Sequence, residues 1–311
     1  MKVLTFGGAG FLGSSLDKEF KKNNIENFVY DNLLTGKREN IDIKTHFING
    51  DISDIKQIEK HFLSIKPEIV IHLAAIHHIP TAESNPINTI ETNLKGTSNI
   101  LEILSKNNFQ GRFGFASTGG IYQDIGNNSL TENSKIDPIG IYPLSKYFSE
   151  KIIDYYVKSG KANFKTTNFR LFNLVGKSET NDHLLPAILK QIYKGDNVSH
   201  GNLKPYRDYV HVDDVSSLIT LWILDKSSKP IPQNMNICSG THFSVNEVIS
   251  ICAKVTNKEI RLIFDEKRAR KTDRLFQLGS NQLAKNRYSW NLKKDLKIGI
   301  KDLWEDILSH Q

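Results

Sequence analysis

"TFGGAGFLG" (residues 5–13) is the stretch whose reading decides the fold. It overlaps the end of the apolar run "KVLTF" (2–6) and opens a helix-like segment near 11–23. Gly8, Gly10 and Gly13 satisfy G-x-G-x-x-G, and Gly7, Gly10 and Gly13 form a second pattern, G-x-x-G-x-x-G. Such glycines permit a tight strand-to-helix turn and let backbone N–H groups approach a pyrophosphate seated on the positive end of the helix. A bare glycine pattern is common. Here its weight comes from strand, loop, helix and a following acid in the right order. That acid is Asp31 in "VYDNLLTG", at the end of the second strand-like run, "NFVY" (27–30). A carboxylate there accepts hydrogen bonds from both hydroxyls of an adenine ribose and repels a 2′-phosphate, which favours NAD over NADP. The plainer reading is a strand-end Asp capping a turn. The expected cofactor contacts are Gly7, Gly10, Phe11, Leu12, Gly13, Asp31 and Asn32, then Asp51 and Ile52 beside the adenine edge, and Leu73, Ala74 and Ala75, whose small or apolar side chains let a dinucleotide lie close.

Working outward, further strand-like runs follow: "THFI" (45–48), "EIVIHLA" (68–74), "RFGFAS" (112–117) and "KTTNFRLF" (165–172). Helix-like segments lie near 11–23, 53–65, 86–106 and 141–158. This alternation predicts an α/β fold, a doubly wound parallel sheet of the Rossmann type with helices on both faces. Runs such as "IVIHLA" suit strands buried on both sides. The second half is less regular. "HLLPAILKQIYKG" (183–195) and "VNEVISICAKVT" (245–256) read as helices, and "MNICS" (235–239) and "IRLIF" (260–264) as strands. We expect a dinucleotide-binding domain over 1–172, with segments near 205–240 returning to it, and a smaller interleaved substrate lobe making up most of 173–311.

The 311 residues, 39% of them hydrophobic, can bury a large core. No stretch approaches the ~20 apolar residues that span a bilayer, and the N-terminus lacks a signal-peptide h-region. With two cysteines, Cys238 and Cys252, neither a disulfide framework nor a cysteine-based zinc site is expected. The net charge of +7 comes from scattered lysines without a basic block, which points away from nucleic acid and is compatible with a small anionic ligand. A cytoplasmic protein, off the membrane, is the expectation.

"YPLSK" places Tyr142 and Lys146 at i and i+4, neighbours on one helix face. A free phenol has a pKa near ~10; a nearby ammonium and a cationic nicotinamide stabilise its phenolate, which then takes a proton from a substrate alcohol. The spacing also arises by chance in structural helices. What singles it out is the order of motifs: glycine loop, Asp31, a strand ending in "STGGIY", then "YPLSK". At this point the chain resembles the extended short-chain dehydrogenase/reductase family, in its nucleotide-sugar epimerase and dehydratase branch (UDP-glucose 4-epimerase-like). "GGAGFLG", "DNLLTGKREN", "GDISD", "HLAA", "TNLKGT", "YPLSK", "RLFNLVG" and "RDYVHVDD" carry the resemblance from residue 1 to about residue 305.

The resemblance implies NAD(P), a Ser/Thr–Tyr–Lys catalytic trio of Thr118, Tyr142 and Lys146, and a substrate carried on a nucleoside diphosphate. Thr118 matches the family's catalytic hydroxyl, with Ser117 as the competing assignment. The resemblance also places Asn93, in "TNLKGT", at the cofactor. Dehydratases of the family carry an Asp-Glu pair after the Thr, where this chain has Gly119 and Gly120, so elimination is not expected. On the substrate side it implies roles for Asn173 in "RLFN", Arg207 in "RDYVHVDD" and Arg270 in "RARKTDR" at the diphosphate, and for Leu184 and His200 at the base. Guanidinium groups suit bidentate diphosphate binding. His77 and His78, in "AIHHIP", either meet the sugar or form a solvated loop pair; a metal site is not expected, because no third ligand stands at a suitable spacing. The leading expectation is an NAD-dependent nucleotide-sugar 4-epimerase. The alternatives are a 4-dehydrogenase or 4-keto reductase with the same trio, and a non-catalytic dinucleotide-binding regulator. Relatives dimerise through helices matching 86–106 and 141–158, which implies a homodimer.

Overall fold

A computed structural model describes residues 1–179, 181–268 and 274–309. In chain order the first half runs β1 (Lys2–Phe6), α1 (Phe11–Lys22), β2 (Glu26–Asp31), β3 (His46–Asn49), α2 (Ile55–Ile65), β4 (Ile69–His72), α3 (Ile79–Ser84), α4 (Pro86–Ile90), α5 (Gly96–Lys106), β5 (Arg112–Thr118), α6 (Ile141–Lys158) and β6 (Lys165–Leu171). The second half continues with β7 (Asn173–Val175), α7 (Leu184–Lys194), β8 (Asn197–His200), β9 (Tyr206–His211), α8 (Val212–Leu224), β10 (Asn234–Ile237), β11 (His242–Ser244), α9 (Val245–Thr256), β12 (Arg261–Phe264), α10 (Gln282–Tyr288) and α11 (Leu296–Ser309).

The main sheet has seven strands in the order β10-β6-β5-β4-β1-β2-β3, and every pairing in it is parallel. The order reverses beside β1, and open parallel sheets bind ligands at the strand carboxyl ends at such a switch point. One face is covered by α1 and α8, with Leu16, Phe20, Leu218 and Trp222 in the layer. The other is covered by α2, α5 and α6, with Phe62, Leu101, Leu104 and Ile153. Covered on both faces, β4 buries all four of its residues. A second core joins α7, α9 and α11 around Ile188, Leu189, Val248 and Ile300. It supports two small sheets, β11-β9-β7 and β12-β8. The chain therefore leaves the main sheet after β6 and returns to it with α8 and β10.

The expected single helix over 86–106 is interrupted: between α4 and α5 lies a π-helical turn, Glu91–Lys95. Its cause is Asn93. The Asn93 carboxamide accepts from Ile76 N at 2.8 Å and donates to Ile76 O at 3.0 Å, so it is drawn into the loop after β4. A widened turn of this kind is a common local accommodation of an inward-held side chain. Asp54 caps α2 by accepting from Gln57 N at 3.0 Å, and Ser244 with Glu247 forms a capping box on α9. The first turn of α1 has no side-chain cap; its N-cap is Gly10.

Candidate active site

The glycine loop is a cradle that side chains would fill. Gly7 has φ +78°, and a Cβ there would meet the Ala74 backbone N at 2.5 Å. A Cβ on Gly13 would lie 2.5 Å from both Cα and O of Gly8. The uncapped N–H groups of α1 therefore open onto a surface without side chains, which fits an anionic pyrophosphate. Phe11 and Leu12 turn the other way, into the core.

Asp31, at the end of β2, is buried. Its two oxygens accept from Ala9 N at 2.9 Å and Leu33 N at 2.8 Å, so it ties the glycine loop to the loop after β2. Burial pushes its carboxyl upward, against the pull of those two donors. A carboxylate has about four acceptor sites, so two remain for ribose hydroxyls. Asn32 donates to Asp51 at 2.7 Å and closes the adenine side. Ile52 is buried against Gly96, where a Cβ would come within 2.3 Å of its Cδ1. Leu73 N and Ala74 N both bond to Phe6 O, at 2.8 and 3.0 Å, which holds the end of β4 against the loop. The donor set and the open cradle fit a dinucleotide.

Asn93, expected at the cofactor, stands between the loop after β4 and α6. Only 1% exposed, it spends its amide on Ile76 and on Ser145 Oγ, the latter at 2.9 Å. Ser145 donates in turn to Tyr142 O at 2.8 Å. Asn93 thus aligns the β4 loop with the helix that carries Tyr142. The start of that helix is also pinned: Ile141 N donates to Glu83 Oε1, on α3, at 2.8 Å. The sequence reading missed both anchors. Pro80, in the first turn of "IPTAES", was the available signal for α3.

Thr118 closes β5, and its Oγ1 accepts from Gly120 N at 3.0 Å. Its own proton is then left free to turn toward the Tyr142 phenol, whose ionisation Thr118 favours. Burial pushes that phenol up to about 12, and Thr118 opposes the rise. Lys146, one turn on, is buried, with Nζ 4.6 Å above the Phe115 ring. Burial brings its ammonium down to about 7, while Glu150 pulls the other way. Ser117 points elsewhere: it donates to Glu150, so of the two candidate hydroxyls Thr118 is the one at the phenol. Gly119 and Gly120 bring no carboxylate to the site, and both pack closely. A Cβ on Gly119 would lie 2.8 Å from the Phe172 ring, and one on Gly120 would lie 3.2 Å from Thr118 Oγ1.

The second lobe supplies the facing wall. Asn173 donates to Asp208 O at 2.9 Å and fixes β7 beside β9. Arg207, on β9, donates to Tyr206 O and Arg274 O at 2.8 and 2.9 Å. Arg274, which the sequence reading passed over, faces the same charge and is held down by burial and by Arg207; its signal was the same "RARKTDR" stretch. Arg270 lies outside the described residues. Leu184 begins α7, 39% exposed. His200 closes β8 with Nδ1 2.8 Å from Gly201 O, its ring edge-on to Phe264. His77 and His78 meet His183 across the lobes, with ring centroids 5.5 and 5.4 Å apart. The Asn181 amide lies 3.2 Å from His77 Nε2, and burial lowers His77 to about 4. Among the described residues, one cluster has metal-ligand geometry, His211, Asp213 and Asp302. Lys294 Nζ already sits on its carboxylates at 2.8 and 2.9 Å, so it is an ion-pair network.

A Rossmann sheet with a glycine cradle, a buried acid at the end of β2 and a hydroxyl, a phenol and an ammonium on β5 and α6 has the features of a dinucleotide-dependent enzyme acting on an alcohol carbon. The profile of the NAD dependent epimerase/dehydratase family matches residues 3–238. The chain belongs to that family, and NAD is its cofactor. It is 29% identical over 304 residues to a putative UDP-glucose 4-epimerase of Methanocaldococcus jannaschii, covering 96% of each chain. Its fold superposes on the UDP-glucose 4-epimerase of Thermus thermophilus in complex with NAD (TM-score 0.91, 26% identity, 100% of both chains). It superposes equally on the Thermotoga maritima enzyme with UDP-glucose (TM-score 0.90, 27% identity, 100% of this chain and 99% of that one).

Proposed function

We propose that this chain is an NAD-dependent 4-epimerase of a nucleoside-diphosphate hexose, with Thr118, Tyr142 and Lys146 as its catalytic residues. The observation that carries the reading is a buried Thr118 at the end of β5 facing Tyr142, which stands one turn from a buried Lys146 on α6, with glycines where an elimination acid would stand. The 4-epimerase relatives across the full length support it.

In this reading Thr118 orients the sugar C4 hydroxyl and Tyr142 takes its proton, Lys146 stabilising the phenolate electrostatically. Bound NAD would supply the hydride acceptor and donor for C4. Tyr142 then gives its proton back to the same oxygen after the 4-keto sugar has turned over in the second lobe. Asn173, Arg207 and Arg270 hold the diphosphate, Leu184 and His200 the base, and His77 the sugar side. The glycine loop, Asp31, Asn32, Asp51, Ile52, Leu73 to Ala75 and Asn93 hold the cofactor together with Tyr142 and Lys146, with 1–172 as its domain and most of 173–311 as the sugar lobe.

The proposal extends to a homodimer through 86–106 and α6, supported by apolar Ile87, Phe148 and Tyr155, which are 73%, 44% and 54% exposed there. A cytoplasmic location belongs to the same proposal. Among the described residues no helix is long and apolar enough to cross a membrane.

The test is to incubate the purified protein with UDP-glucose and catalytic NAD, following sugar identity by NMR and absorbance at the reduced-nicotinamide band. The C4 epimer is expected to form to equilibrium with no net NADH. Product formation matched by NADH would replace the epimerase with a one-way dehydrogenase.

A further inference from the structure

Behind the catalytic helix face lies a buried charge pair that the reaction as described does not use. Glu150 is 2% exposed and Arg170, on β6, is 3% exposed. The pair is bidentate: Arg170 Nε donates to Glu150 Oε1 at 3.1 Å, and its terminal nitrogen to Oε2 at 2.8 Å. Ser117 Oγ adds a bond to Oε1 at 2.5 Å. Arg170 also donates to the Tyr122 hydroxyl and to Glu132 O, both at 2.9 Å, and Tyr122 donates to Asn236 at 2.6 Å. Every arm is occupied, so the pair is held rigidly on β5, β6 and α6.

Glu150 stands at i+4 from Lys146, one further turn along the face that begins with Tyr142. Lys146 itself is 2% exposed. The groups that face it can be named from each element. On α6 they are Tyr142 and Glu150. On β5 they are the Phe115 ring and neutral Ser117. From β4 and its loop come His72 and His77, both held neutral by burial. Arg170, on β6, lies on the far side of Glu150, bonded to it, to Tyr122 and to Glu132 O. Glu150 is therefore the carboxylate that opposes the desolvation of Lys146, and Arg170 is what makes that carboxylate tolerable in the core.

We propose that Glu150 is a positioning residue that keeps Lys146 charged for Tyr142, with Arg170 setting how much of its negative charge Lys146 feels. This rests on the catalytic reading of Lys146 above. It predicts opposite shifts at Lys146 for the two partners of one salt bridge, with the pH profile of activity following each shift, which a pair without a role in catalysis does not produce.

The test is a pH titration of the Lys146 Cε resonance in 13C-lysine-labelled protein, assigned by its loss in Lys146→Met, alongside the pH profile of kcat/KM. Glu150→Gln is expected to move the Lys146 midpoint down by about one pH unit and Arg170→Met to move it up, with the alkaline limb of activity following each. Should Glu150→Gln not fold, because it strands Arg170, the comparison becomes Arg170→Met against the double variant Glu150→Gln/Arg170→Met, the single expected to have the higher midpoint. Midpoints unchanged, or moved in one direction by both substitutions, overturn the assignment. Midpoints that shift as expected with activity limbs that do not follow support the Glu150 assignment and overturn the catalytic reading beneath it.

Discussion

Lys146→Met tests the price of burying a charge for chemistry. The side chain is 2% exposed, and burial takes its ammonium from the ordinary 10.5 to about 7. That gap corresponds to about 5 kcal/mol of unfavourable burial at low pH. Losing the cation–π contact with Phe115, 4.6 Å away, takes back about 1–2 kcal/mol, and partial relaxation reduces the remainder further. Methionine fills much the same volume without charge, so a net gain of about 2 kcal/mol near pH 6.5 is expected. The sign follows from proton binding. Below about 7 the folded and unfolded chains both hold the proton, and the penalty is complete. Between about 7 and 10.5 the unfolded chain binds it more tightly, so wild-type stability climbs with pH and the advantage of methionine fades. Urea denaturation of wild type and variant at pH 6.5 and 9.5 measures the difference. A variant less stable than wild type at pH 6.5, or a difference that does not change with pH, would refute the argument.

Tyr142→Phe is expected to lower turnover by about 10²- to 10⁴-fold while leaving NAD affinity within about threefold, measured by initial rates and calorimetry. Gly13→Ala drives a Cβ to 2.5 Å from the Gly8 backbone; it should cost about 1–3 kcal/mol in thermal denaturation and weaken NAD binding at least tenfold, because the loop must open to accept it. Asn93→Ala strands Ile76 N, Ile76 O and Ser145 Oγ; a loss of about 2–3 kcal/mol and faster hydrogen exchange at the Ile76 amide are expected. Asp31→Asn can keep only one of the bonds to Ala9 N and Leu33 N, so NAD affinity should fall and its preference over NADP narrow, as read from the two dissociation constants.

What the sequence revealed is local. The glycine loop, Asp31 and the Tyr142–Lys146 spacing each lie within one strand–loop–helix unit, so their chemistry can be read before any contact is known. The helices over 141–158 and 245–256 were legible for the same reason: their apolar periodicity is carried by their own residues. "VDDVSSLITLWIL" was not, because α8 packs against both the sheet and α1 and buries polar residues such as Asp214, Ser216 and Thr220 along with its apolar ones, so no clean stripe shows. The bonds that hold Asn93 are not legible in one dimension, because its partners, Ile76 and Ser145, lie 17 and 52 residues away. The Glu150–Arg170 pair, the choice of Thr118 over Ser117, and the meeting of His77, His78 and His183 depend equally on long-range packing. The π-helical turn has no sequence signature of its own, since it follows from where one carboxamide is held.

The excursion between β6 and β10 has a consequence for biogenesis. The last strand of the main sheet, 234–237, pairs with a strand that ends at residue 171, so the ribosome has made the intervening stretch before that partner exists. Until then the nascent chain exposes an unpaired row of amides on "KTTNFRL", the kind of edge that recruits other chains. A synthesis pause or premature stop within that interval would leave a template for aggregation, not a smaller working enzyme, and late closure of this seam is where a chaperone would have most to do.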